Sequence, residues 1–140
     1  MHTNTLNLRK YSWLLLAVGL LSAGLCGNLY AQDPVNPGGK TIQAKKFTRL
    51  MKKKNTVLLD VRTEKEYKEG HIPGSIQVDV LQTGDFNTKI ASLEKTKTYL
   101  VYCRSGKRSA QAMQIMQQAG FRKLYDLEGG FSKWTGAREQ

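Results

Sequence analysis

Cys103 stands directly before Arg104, Ser105, Gly106, Lys107 and Arg108, so one sulfur heads a run holding three cationic side chains and a glycine. A cysteine attacks as its thiolate, a form favoured by positive charge and by backbone N–H groups gathered at a helix N-terminus. Such a thiolate can attack a sulfur or another soft electrophile, and the same donors can then hold an anionic product. The field does the deprotonating, so no histidine base is required. The alternative is that Cys103 is simply a buried core thiol, a common fate of a lone cysteine.

The flanking elements favour the first reading. "TYLVY" before Cys103 is apolar enough for a strand covered on both faces. "SAQAMQIMQQAG" after it carries Ala112, Met113, Met116 and Ala119 on one stripe, which predicts a helix capped by Ser109 and ended by Gly120. "RSGKR" must then wrap a tight loop between the two, with Gly106 giving the freedom that the wrap requires.

Upstream, "AKKFTRLMKK" spaces Ala44, Phe47, Leu50 and Met51 for a helix, and "TVLLDV" is a short apolar strand ending at Asp60 and Val61. "TEKEYKEG" predicts a short helix with Thr63 as N-cap and Gly70 as its stop, "HIPGSIQVDV" a turn and a strand, and "FNTKIASL" a helix. "KLYDL" reads as a last strand and "GGFSKWTGA" as a short last helix. Strands alternating with helices predict a small α/β domain around a mostly parallel sheet, with its ligand site at the C-terminal strand ends. Asp60 and Cys103 both fall there.

Residues 1–31 read as an export signal: Arg9 and Lys10 precede an apolar run from Trp13 to Gly27, and Ala31 offers a cleavage point. The run is shorter than the ~20 residues of a membrane-spanning helix, so no stable membrane insertion is expected after cleavage. Acylation at Cys26 is disfavoured because Leu25 is bulky where a lipoprotein signal wants a small residue. Residues 32–40, "QDPVNPGGK", read as a linker, and 41–138 as the domain. The expected location is exported, in a bacterial periplasm.

Removing the signal leaves Cys103 as the sole cysteine and 20 basic against 11 acidic side chains, a net charge of about +9. That surface suits anionic partners; nucleic acid is not expected for an exported protein, and the lysines at 45–46 and 52–54 read as the solvated face of one helix. One cysteine and one remaining histidine cannot close a metal site, so neither metal nor cofactor is expected.

Three stretches, "LLDVRTEKEYKEGHIPGSI", "VYCRSGKRSAQA" and "LEGGFSKW", together resemble a single-domain rhodanese, and the likeness runs from Lys40 to Arg138. The resemblance implies a rhodanese-like α/β fold and a sulfurtransferase. Cys103 would take sulfane sulfur from an anionic donor such as thiosulfate and, as a persulfide, pass it to cyanide or a thiol. Arg104, Ser105, Gly106, Lys107 and Arg108 would form the substrate cradle, Asp60 and Arg62 a supporting pair below it. Glu66 and His71 belong to the matching "E-Y-x-x-G-H-I-P-G" segment, with His71 a structural hydrogen bonder. Gly129, Gly130, Phe131 and Trp134 match the family's ending, the two aromatics closing the sheet.

Two other readings have their own signatures. A phosphatase of the same fold places Arg six positions after its cysteine, where this chain has Ser109, and Tyr102 replaces the histidine that often precedes that cysteine. A non-enzymatic persulfide carrier or anion-binding module would use the same loop without turnover. The signal reading is checked by N-terminal sequencing of the exported protein: a start at Gln32 is expected, whereas acylation of Cys26 establishes a lipoprotein.

Overall fold

A computed structural model describes residues 39–140. The expected signal, and the linker as far as residue 38, lie outside the described residues. Five strands and four helices alternate: β1 (Lys40–Ile42), α1 (Ala44–Met51), β2 (Thr56–Asp60), α2 (Glu64–Lys68), β3 (Ile76–Gln77), α3 (Thr83–Ala91), β4 (Thr98–Tyr102), α4 (Lys107–Gln118) and β5 (Lys123–Leu127). A 3-10 turn at Phe131–Lys133 follows.

All strand pairs are parallel, in the order β1-β5-β4-β2-β3. Strand residues alternate between two cores. Leu59, Tyr99, Val101 and Leu124 pack with Phe86 and Ile90 of α3 and with Ala112, Met113 and Met116 of α4. Leu58, Leu100, Tyr102 and Leu127 face the other way, onto Phe47 of α1 and Trp134. The central strands therefore read as continuous apolar runs, as strands covered on both faces must.

The α/β expectation holds, with local differences. β1 starts at Lys40, the last residue of the expected linker, and is short enough for the neighbouring glycines to mask it. α1 ends at Met51, so Lys52–Lys54 follow the helix instead of lying on its face. α3 begins at Thr83, with the Phe86 amide donating to the Gln82 carbonyl at 2.8 Å; Gly84 made this turn of helix look like loop. The last expected helix is a single 3-10 turn. α2 has the expected cap, completed by a reciprocal bond: the Glu66 amide donates to Thr63 Oγ1 (3.3 Å), and the Thr63 amide donates to the Glu66 carboxylate (3.2 Å).

The largest correction concerns α4. It starts at Lys107, with Gly106 as N-cap at φ +109°, so Ser109 is not the cap but lies inside the first turn. Glycine reaches that left-handed conformation without a Cβ penalty, and the chain enters the helix three residues after Cys103.

After β5 the chain turns back under the Cys103 loop. The Phe131 amide donates to the Cys103 carbonyl (2.8 Å) and the Ser132 amide to the Arg104 carbonyl (3.0 Å). Gly130 permits this approach: it has φ +60°, and a Cβ there would lie 2.5 Å from the Cys103 oxygen. Gly130→Ala is accordingly expected to destabilise the domain by ~1–3 kcal/mol, measured by urea unfolding, and to loosen the Cys103 loop.

Candidate active site

Cys103 follows the last residue of β4 and is 1 % exposed. The Gly106 amide donates to Sγ at 3.1 Å, and the Ser109 hydroxyl, itself buried, sits 3.5 Å from Sγ. Burial pushes the Cys103 thiol up, but the Ser109 hydroxyl and the amides of Ser109, Gly106 and Ser105 outweigh it and hold the thiol below its ordinary value. The leading donors are thus neutral. Of the two expected sources of stabilisation, backbone N–H groups and positive charge, the amides at the start of α4 lead, joined by one hydroxyl.

The cations divide into two kinds. Arg104 and Lys107 are exposed beside the loop. Arg108 instead forms a two-pronged pair with Glu66, Nη1 to Oε2 at 2.6 Å and Nη2 to Oε1 at 2.8 Å, which ties α4 to α2. The Arg108 hydrogen bond is the first cause that holds the Glu66 carboxyl down at about 2, against a smaller upward push from burial and with help from Thr63. Arg108 feels the Cys103 charge only as a lesser influence after Glu66 and burial. Its guanidinium is committed to ordering the loop's flank.

Asp60 and Arg62 form a buried pair at the end of β2. Arg62 Nε donates to Oδ1 (2.9 Å) and Nη2 to Oδ2 (2.5 Å), while the Arg62 amide also reaches Oδ1 (3.0 Å). Nη2 donates further to the Gly70 carbonyl (2.8 Å), and the guanidinium carbon lies 4.2 Å from the Phe131 ring centre. Burial alone would lower the Arg62 pKa; Asp60, with smaller contributions from Tyr102 and Glu66, more than offsets it. The pair thereby fixes the ring that follows Gly130. A shallow cleft beside the loop is lined by Arg62, Glu66, Gly70, Arg104, Phe131 and Ser132.

His71 lies away from the sulfur's donors. Its ring stacks on Tyr67 at 3.7 Å, Nδ1 is 3.0 Å from the Tyr67 carbonyl and Nε2 3.2 Å from Glu139 Oε1. Backbone bonds between His71 and Glu139 extend the folded unit one residue past the expected boundary at 138. Trp134 is buried against Phe47, ring centres 6.1 Å apart.

Sequence reasoning missed three features. Ser109 donates to the sulfur. Glu66 claims Arg108 across 42 positions. Asp126, at the end of β5 and 4 % exposed, brings a carboxyl beneath the loop, with Oδ2 3.7 Å from where a Cβ on Gly106 would lie. Arg62, two positions after Asp60 in the same motif, signals an ion pair, but nothing near Asp126 in the sequence signals its contact with the loop.

Residues 43–137 match the rhodanese-like domain family, and the chain belongs to it. The Coxiella burnetii protein named thiosulfate sulfurtransferase GlpE is 34% identical over 85 residues, 61% of this chain and 77% of the relative. The Cytophaga hutchinsonii protein named tRNA uridine(34) hydroxylase is 31% identical over 104 residues, 73% of this chain but 33% of its own length, so this chain spans a third of that relative. Among solved structures, a rhodanese-related protein from Thermoplasma volcanium superposes with a TM-score of 0.58 at 34% identity, covering 68% of this chain and 89% of that one. The chain is thus a rhodanese-like domain, and its relatives carry the names of a sulfurtransferase and of a tRNA hydroxylase.

The Glu66 pair generates a stability test. Glu66→Gln is expected to cost ~1–2 kcal/mol at neutral pH, between an exposed and a fully buried pair. Because the folded carboxyl titrates at about 2 and an unfolded one at about 4.3, the contribution is complete above about 4.3 and fades as pH falls toward 2. Urea melts of both proteins at neutral and acid pH should therefore converge on acidification.

Proposed function

We propose that this protein is a sulfurtransferase working through a Cys103 persulfide, with thiosulfate or a similar anionic sulfane donor as the source and a thiol or cyanide as acceptor. In the first half-reaction the thiolate attacks the outer sulfur of thiosulfate; the S–S bond to the sulfonate breaks, a new one forms to Cys103, and sulfite leaves with the electron pair. In the second, the acceptor attacks the outer persulfide sulfur and Cys103 departs as the thiolate. Charge and atoms balance in each step, and no oxidant is consumed.

The supporting observation is the set of donors around one sulfur: the Gly106 amide at 3.1 Å, the Ser109 hydroxyl at 3.5 Å and the start of α4. Donors that stabilise a thiolate serve equally for the outer persulfide anion after transfer. Arg104 and Lys107, exposed at the rim, suit the recruitment of a doubly charged donor. A phosphatase reading draws no support from Arg108, whose two terminal nitrogens both donate to Glu66.

Export to a bacterial periplasm is part of this proposal and rests on residues 1–31. Among the described residues no helix is long and apolar enough to cross a membrane. The exclusion of nucleic acid as a partner is not supported, because a relative named for tRNA carries the same domain.

Incubation with thiosulfate is expected to add about 32 Da, one sulfur, to the wild-type protein and nothing to Cys103→Ser. With cyanide present, thiocyanate should accumulate over many turnovers. A single stoichiometric release would instead identify a carrier, and turnover by Cys103→Ser would remove Cys103 as the nucleophile.

A further inference from the structure

Asp126 is a buried carboxyl that the sulfur-transfer reading leaves without a task. It occupies the C-terminal end of β5, on the α4 side of the sheet, 4 % exposed. Its Oδ1 has no hydrogen-bond partner among the described residues. Such a group is costly to bury as an anion, and an isolated orphan calls for an explanation.

Its surroundings connect it to the sulfur. From β1 it meets Thr41, its partner in register; from β4, Val101 in register; from α4, Ser109; from the loop, the Gly106 backbone, with Oδ2 3.7 Å from the position of a Cβ. Among these neighbours the polar groups are neutral, and the titratable group beyond Ser109 is the Cys103 thiol. Burial raises the Asp126 carboxyl; the Ser109 hydroxyl, the Leu127 amide and Thr41 only partly counter it.

Ser109 is the shared element, and it has one hydroxyl proton. Three acceptors compete for it: Cys103 Sγ at 3.5 Å, the Gly106 carbonyl at 3.0 Å and the Asp126 carboxyl. A carboxylate is a stronger acceptor than its neutral acid. An anionic Asp126 therefore draws the proton from the sulfur and adds a negative charge nearby, and both effects oppose the thiolate.

We propose that Asp126 is a positioning residue that sets the ionisation of Cys103 through Ser109: as the neutral acid it leaves the hydroxyl proton to the sulfur, and as the carboxylate it takes that proton away. Asp126 and Cys103 then titrate as a coupled pair. The proposal rests on the persulfide reading for its functional meaning, but its test reads thiol ionisation and does not require sulfur transfer.

The test is the pH dependence of Cys103 alkylation by iodoacetamide in the full chain. Asp126→Asn, which keeps the shape and cannot become an anion, is expected to lower the midpoint by about one pH unit, about tenfold more thiolate at a fixed pH well below it. In a Ser109→Ala background most of that shift should vanish. An unchanged or raised midpoint in Asp126→Asn, or an equal shift without Ser109, overturns the proposal. Loss of sulfur transfer with these shifts intact would instead count against the persulfide reading alone.

Discussion

A sulfur sealed from water can hold negative charge only while protein donors replace the lost hydration, and that requirement organises this domain. β4 carries Cys103 to the end of the sheet, where the chain must reverse. The reversal at Gly106 brings an amide to 3.1 Å from the sulfur and starts α4 in the same movement. The carbonyl side of Cys103 is held as well, by the Phe131 amide arriving from beyond β5. Sulfur, loop and helix start are therefore one geometric unit, and each loses its purpose if the others shift.

The surrounding contacts differ in what they fix. Asp60 and Arg62 are almost sealed, at 0 % and 4 % exposure, where losing one partner leaves a charge without compensation and costs ~3–5 kcal/mol. Glu66 and Arg108 are 25 % and 20 % exposed, so solvent shares the load and the pair gives registry between helices more than net stability. The first anchors the ring of Phe131, which packs under the loop from the sheet side. The second braces the loop from its helical flank.

The alternation of strands and helices was legible because β2 and β4 are apolar on both faces and α1 and α4 carry stripes at helical spacing. The sulfur loop was legible for a related reason: Cys103 to Arg108 are contiguous, so their chemistry can be read without knowing the fold. β1 was hidden by its three residues and by the prolines and glycines before it. Ser109 was misplaced because serine favours the N-cap, whereas a left-handed glycine claimed that position. The partner of Arg108 and the contact of Asp126 were invisible, since only the strand order brings β2, β4 and β5 together at one end.

Glu66 serves two structures with one carboxylate, accepting from the start of its own helix while holding Arg108 of another. Those duties require the same side-chain length and charge. A shorter acid at this position would have to abandon one of them, and a neutral side chain would leave the guanidinium without its counter-ion. Thr63, Glu66 and Arg108 thus constitute a single unit of sequence drift, three positions that the fold permits to change together far more readily than one at a time.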